Sequence, residues 1–491
     1  MDRKLFSLAL GLLSVALTSC SGPSIFASGG SGGSPGTPGS ATVSISLTAT
    51  PLTPPPATSL LSFSATVAGI SLTPASGTAV NIPLVASSIT VDLTKLQTDS
   101  ALLASAINVP VGSYTGISVS FQNLVVTYCT VVSGTPGCVA GSVKQVAGTS
   151  VAPSATFTSP VSLASAQETG FAFNVNLAQA LTVNATTQAV TAVNVNATNA
   201  ISASALPATS TSLSTGQLDF IENVSGVVST VNGQIVTLQT ASRGTLTVTA
   251  NSSTDFSPNC SSLTIACAVA GEVASIDAAL NADGSLTMLE FDPLDTSTTT
   301  HDWVEGVVIA APGSTTQFQL VTNDLVRLTT GSLIASNLPL GSLATVNVSG
   351  VSAFTVDSKG LTVPANSFGG TDASILVPGQ TVAVRVTSFT AASGSVPASL
   401  NADMLTLRFT SVPGTVSSAS LPLTFAMTNL PPFFGVTTPQ VVQLSSAPVA
   451  TNFDGVNITS GLTASQTVSV RGIFFGPTVA TPLSAAKVRV P

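Results

Sequence analysis

Gly226-Val227-Val228-Ser229-Thr230-Val231-Asn232-Gly233-Gln234-Ile235-Val236-Thr237-Leu238 reads as two strands about an Asn-Gly turn, a dipeptide that supplies the positive φ angles a two-residue hairpin needs. Its Val, Ile and Thr side chains, branched at Cβ, fit a pleated sheet better than a helix. No convincing helix stands out anywhere in the chain. The expected fold class is all-β.

The unit that opens with this hairpin closes with Ala270-Gly271-Glu272-Val273-Ala274-Ser275-Ile276, Asp283-Gly284 and a strand from Ser285 to Phe291. A second copy runs from Glu305-Gly306-Val307-Val308 to Gln380-Thr381-Val382 and Ala402-Asp403-Met404-Leu405, with an insertion around Asp357-Ser358-Lys359-Gly360. The third begins at Gly414-Thr415-Val416 and ends with Gln466-Thr467-Val468 and Ala485-Ala486-Lys487-Val488. The copies resemble a family of small uncharacterised bacterial β-domains, in which a "G-V" opening is followed by "l-G-x-V-v-G" and "dG-l-A-x-v" segments. The third departs from it, with Ala464-Ser465 in place of the glycine. Because the period varies over roughly 80 to 110 residues, independent tandem domains are expected rather than a solenoid. Their expected bounds are 226–300, 301–412 and 413–491, each barrel-like or sandwich-like.

Upstream, residues 207–225 read as a linker and 41–206 as a further domain. Val43, Ile45 and Leu47 alternate with Ser and Thr, as do Ile89, Val91 and Leu93, then Ile117, Val119 and Phe121. Period two marks half-buried strands, and the Pro and Gly turns between them point to an antiparallel sandwich. Val91-Asp92-Leu93-Thr94-Lys95-Leu96, the turn Val109-Pro110-Val111-Gly112-Ser113-Tyr114-Thr115 and Phe171-Ala172-Phe173-Asn174-Val175 resemble an uncharacterised N-terminal domain of bacterial lipoproteins. That resemblance implies a sandwich similar to carbohydrate-binding and transthyretin-like modules, and it implies no functional residues.

At the start of the chain, Arg3 and Lys4 precede an apolar run from Leu5 to Leu17 and then Thr18-Ser19-Cys20. Residues 1–19 read as a secretion signal too short to span as a mature helix. Leu17-Thr18-Ser19-Cys20 resembles the lipobox of bacterial lipoproteins, which implies acylation of Cys20 (a palmitate-type anchor). The Ser21 that follows implies outer-membrane sorting. Two or three acyl chains anchor stably where one does not. Residues 20–40, rich in Gly, Ser and Pro, read as a flexible tether.

Composition narrows the function. Of 12 basic and 20 acidic residues, removal of Asp2, Arg3 and Lys4 leaves 10 against 19, a net charge of −9. Nucleic acid and anionic lipid are therefore poor partners. Charged residues make up only 7% of the chain, so hydroxyls are expected to keep the surface wet. One Trp and two Tyr cannot form the aromatic girdles of a membrane-spanning barrel. The remaining cysteines fall into two local pairs, Cys129 with Cys138 and Cys260 with Cys267. In an exported chain they read as disulfides rather than a metal site, since no histidine lies near either pair and neither is spaced CxxC.

Catalysis has little to work with. The single histidine, His301, sits in a polar Thr-rich connection, no Gly-x-Ser-x-Gly elbow occurs, and acids such as Asp283 and Asp454 precede glycines where turns want them. No motif for a metal or a cofactor is present. Trp303, Tyr114 and Tyr128 are candidates to stack on a sugar, though packing suits them better. Phe433 and Phe434, in Pro431-Pro432-Phe433-Phe434-Gly435, would face opposite ways on a strand, which leaves one of them to contact a ligand or to be buried at an interface. The expected protein is no enzyme. It is a lipid-anchored binding or adhesion module for glycan or another extracellular polymer. The alternative is a structural envelope protein that self-associates through strand edges, for example at Ile235–Leu238.

Overall fold

The structure, a computed structural model, describes residues 39–52, 59–206, 220–257, 260, 262–281, 284–295, 301–328, 330–363, 368–436, 438–446, 450–454, 461–479 and 482–490. The expected secretion signal, Cys20 and nearly all of the expected tether lie outside these residues, as do Asp283 and most of the expected linker.

Two sheets face each other in the first domain. In one, Ser40–Thr50 pairs antiparallel with Ala101–Pro110 and parallel with Glu168–Asn176, which also carries Ile201–Leu206. The other is built on the long antiparallel pair Ser59–Pro74 and Gly112–Cys129, with four shorter strands along its flanks. Phe63, Phe121, Phe171 and Phe173 fill the space between the sheets. The period-two residues Val43, Ile45 and Leu47 point into this core, each with 0% exposure. Their neighbours Ser44 and Ser46 are only 3% exposed, so the strand is buried on both faces and not half-buried. Part of the reason is that the first repeat packs there: a Cβ added at Gly284 would lie 2.9 Å from the Ser44 hydroxyl.

Each repeat contributes six strands in one arrangement. In the first they are Phe220–Asn232, Ile235–Gln239, Thr245–Thr249, Asp255–Phe256, Val273–Leu280 and Leu286–Asp295. Numbered from one to six, they lie in the order 3-2-1-5-6-4, and a parallel contact between three and six closes a barrel. The repeat from Trp303 to Arg408 and that from Thr410 to Arg489 have the same order and the same closure. A five-stranded closed ring with these pairings is the Greek-key barrel of OB type, with the short fourth strand added outside it.

The Asn232-Gly233 turn forms as expected, with Asn232 opposite Ile235 and Gly233 at φ +59°. The first strand opens at Phe220, inside the stretch read as a linker. The recurrent "G-V" has a steric cause. A Cβ at Gly226 would lie 2.5 Å from the Gln239 carbonyl oxygen, one at Gly306 2.5 Å from that of Val321, and one at Gly414 3.0 Å from that of Thr428. At this position strand one coils across strand two, and only glycine allows the approach.

Two expectations need correction. Ile235–Gln239 is no edge, because it pairs on both sides, with Phe220–Asn232 and with Thr245–Thr249. The repeats are also not independent. Apolar contact in the third barrel continues into Leu61 and Cys129 of the sandwich and into Ile309 and Val321 of the second barrel. Gly32–Pro491 accordingly forms one compact unit.

Candidate functional site

The scarce charges meet inside the protein. Arg408, fully buried, lies 3.3 Å from Glu305 and 3.6 Å from Asp292, bonds Asp357, and donates to the Ser275 hydroxyl at 3.0 Å. Lys359 reaches Asp277 and Glu290 of the first barrel, both at 3.3 Å. Lys95 of the sandwich bonds Glu305 at 2.9 Å and Asp324 at 3.2 Å in the second barrel. Arg489 joins Asp454 at 2.7 Å to the carbonyl oxygen of Asp99 at 2.9 Å.

Burial and neighbouring charge set the protonation of this network. Burial would lower Lys95, but Asp324 and Glu305 outweigh it and hold the amine charged, above its ordinary value. Burial opposes ionisation of Glu305 too, yet Lys95 and Arg408 hold its carboxyl below the usual range. Glu290 goes the other way. Burial, together with Asp277, Asp357 and Asp292, exceeds the help of Lys359 and pushes it up to about 8. Burial and Asp357 push Asp292 up to about 7. These groups are locked among module faces, and their geometry suits joining modules rather than acting on a substrate.

Two hollows lie at the module junctions. The larger, about 880 Å³, opens between the sandwich and the third barrel. Its walls are the disulfide loop at Thr130–Gly134, the turn at Thr186–Gln188 and residues of the segment from Thr428 to Val436 with Thr438, with no charged side chain among them. Hydroxyls and amides dominate the polar part of the lining. Asn184 Oδ1 accepts from the backbone N–H groups of Thr186 and Thr187 at 2.9 and 2.8 Å, fixing the turn. Gln188 at φ +61° and Asn429 at φ +53° place two non-glycine residues of the lining in the left-handed region, a form of strain that clusters at functional sites. The smaller hollow, about 90 Å³, lies where the sandwich meets the second and third barrels, with Leu61, Gln97, Asn323, Ser411, Phe433 and Phe434 in its wall.

The cysteine pairs are bonded, Cys129 to Cys138 and Cys260 to Cys267, with Cα atoms 5.6 and 5.3 Å apart. The aromatic candidates are inside. Trp303, 2% exposed, packs with Val273, Val326 and Ala383 between the first two barrels, where it cannot stack on a sugar. Phe433 and Phe434 do not face opposite ways on a strand. They lie on one turn of 3-10 helix, Pro432–Phe434, both buried, with Phe434 edge-on to Phe474 at 5.0 Å. They touch the small cavity from within and not an outer surface. Tyr114 is buried and donates to the Pro110 carbonyl at 2.8 Å, and Tyr128 is buried as well. His301 Nδ1 lies 3.3 Å from Asp295 Oδ2, so the ring is docked against the first barrel instead of lying free in a linker. Asp454 is held by ion pairs with Arg489 and Lys487, while the Gly455 of its expected turn lies outside the described residues.

No curated protein matches the chain. Among solved structures, a Drosophila protein described as Unr CSD456 aligns with 56% of this chain and 98% of its own, at 8% identity and a TM-score of 0.13. In the sandwich, the pattern of strands and turns has a counterpart among known families: residues 40–211 match the model of a domain of unknown function, DUF4382.

Proposed function

We propose that this is a non-catalytic binding protein, anchored through lipid on Cys20 to a bacterial outer membrane and held off it by residues 20–40. Its ligand is a neutral glycan or similar surface polymer, taken up in the groove between the sandwich and the third barrel. One observation carries the reading: about 880 Å³ of open groove is lined by Thr, Ser, Asn and Gln with apolar patches and no charge. Sugar hydroxyls both donate and accept, as do the hydroxyls and amides of such a wall. A charged polymer would find no counter-ion there. With Trp303, Tyr114 and Tyr128 buried, affinity per site is modest, and display of many copies on one membrane supplies avidity. The envelope-scaffold alternative is less well supported, since barrel closure takes away the strand edge it would use at Ile235–Gln239.

The test uses the chain from Gly32 onward, disulfides intact, on an array of neutral and charged glycans, with Thr187→Arg and Gln188→Arg as groove variants. Both substitutions fall on a surface turn and should leave the melting temperature unchanged. A neutral glycan that binds the native protein and weakens at least about tenfold with either variant, a change of about 1.4 kcal/mol, supports the groove. Binding only to charged glycans, or binding indifferent to both variants, rejects it.

A further inference from the structure

The small cavity at the three-module junction has a mixed lining that water alone does not match. Leu60, Leu61, Phe409, Phe433 and Phe434 give it an apolar body. Three polar atoms in the same wall are buried without a hydrogen-bond partner among the described residues: Gln97 Oε1, Asn323 Oδ1 and Ser411 Oγ. Gln97 and Asn323 are each only 6% exposed. A buried acceptor left unpaired costs about 1 to 3 kcal/mol, whereas native proteins satisfy nearly all such atoms. The cations at the wall are already engaged, Lys95 with Glu305 and Asp324, and Arg471 at 4.9 Å over the Phe409 ring.

We infer that this cavity is a second binding site, separate from the groove, for a small neutral amphiphile whose hydroxyl or amide N–H donates to Asn323, with Gln97 as the second acceptor where the group carries a second N–H, while its apolar body fills the space against the phenylalanines. A dry apolar cavity of about 150 Å³ binds benzene, so one of about 90 Å³ suits a guest of a few heavy atoms, but a hydrocarbon would leave three polar atoms unpaired. Water would pair them and leave the phenylalanine face without contacts. A single molecule with a donor at one end and a short chain at the other satisfies both. An ion is ruled out as occupant, because no uncompensated charge faces it.

The probes are 1-propanol and 1-chloropropane, nearly equal in size, small enough for about 90 Å³ and differing in the hydroxyl. Each is titrated into the chain from Gly32 onward by calorimetry, with intermolecular NOEs locating the bound molecule. 1-Propanol is expected to bind saturably and about tenfold or more tighter than 1-chloropropane, with NOEs to Phe433 or Phe434. Asn323→Leu should bring the two affinities within about a factor of two, by removing one acceptor worth about 1.4 kcal/mol. Ser411→Ala, a smaller change that keeps the strand, should narrow the gap in the same direction should Asn323→Leu fail to fold. Equal binding of the two probes overturns the proposal. Binding of neither, which leaves only solvent in the cavity, overturns it as well.

Discussion

Arg408 shows how far one side chain can gather the chain. Its guanidinium is wholly buried and faces Glu305, Asp357 and Asp292, two of which belong to its own barrel and the third to the preceding one. Replacing it with Met keeps much of the stem but strands three buried carboxylates, and breaking such a pair costs about 3 to 5 kcal/mol. Arg408→Met is therefore expected to lower the denaturant midpoint strongly, and Asp357→Asn placed in that background should recover part of the loss. Additive effects in this double variant would show that the two residues do not act as a pair. None of this is legible in the sequence, where Ser275, Asp292, Glu305, Asp357 and Arg408 are scattered over the two repeats with no local pattern. Hydroxyls mislead in the same way. Ser62 and Thr127 are fully buried, Thr127 donating to the Gly341 carbonyl at 2.8 Å between modules, so part of the Ser and Thr excess builds interfaces instead of wetting a surface.

Among elements, those with local causes could be read in advance. The Asn-Gly hairpin, the period-two strands and the two cysteine pairs each depend on residues close in sequence, so spacing alone discloses them. What the Cys129–Cys138 loop does could not be read. Gly137 N–H donates to the Phe433 carbonyl and Cys138 N–H to that of Ile309, both at 2.7 Å, so the loop ties the sandwich to the third and second barrels together. Gly435, at φ +67°, receives it, and a Cβ there would strike the Pro136 backbone. Closing a loop of this length is worth about 2 to 3 kcal/mol. The double variant Cys129→Ala/Cys138→Ala should lose at least that much in a denaturant melt and more than Cys260→Ala/Cys267→Ala, whose loop exposes Leu263 to solvent at 69%. Equal losses would mean that docking of the first loop adds nothing. The groove escaped the sequence for the same reason, being assembled from segments near 130, 187 and 430 that only the folded chain brings together.

For the whole molecule, the buried network makes stability depend on pH with an unusual sign. Glu290 and Asp292 keep their protons to about 8 and about 7 when folded, against ordinary values of 4.5 and 3.8. Between these limits the folded state binds more protons than the unfolded chain, so stability falls as pH rises and levels off above about 8. Glu305, Asp403 and Asp454 are held below their ordinary values, so their contribution is lost in acid instead. Melting temperature should therefore peak near pH 5 and decline towards pH 8, with Glu290→Gln flattening much of the alkaline slope. A native profile that is flat from pH 5 to 8 would contradict this.

The inward placement of the cations also decides how the protein meets a protease. Of the Lys and Arg residues described, only Lys144 is exposed, while the others are buried or partly buried among modules. Trypsin cuts after these two residue types and needs a segment it can draw out of the fold. The native chain from Gly32 onward thus presents it a single accessible bond, after Lys144, although the sequence holds ten such residues in that stretch. Digestion should give one nick or none until the modules part, and then run to completion. Trypsin becomes a clock for opening of the assembly, and in a protease-rich setting outside a cell the same burial would set the protein's lifetime.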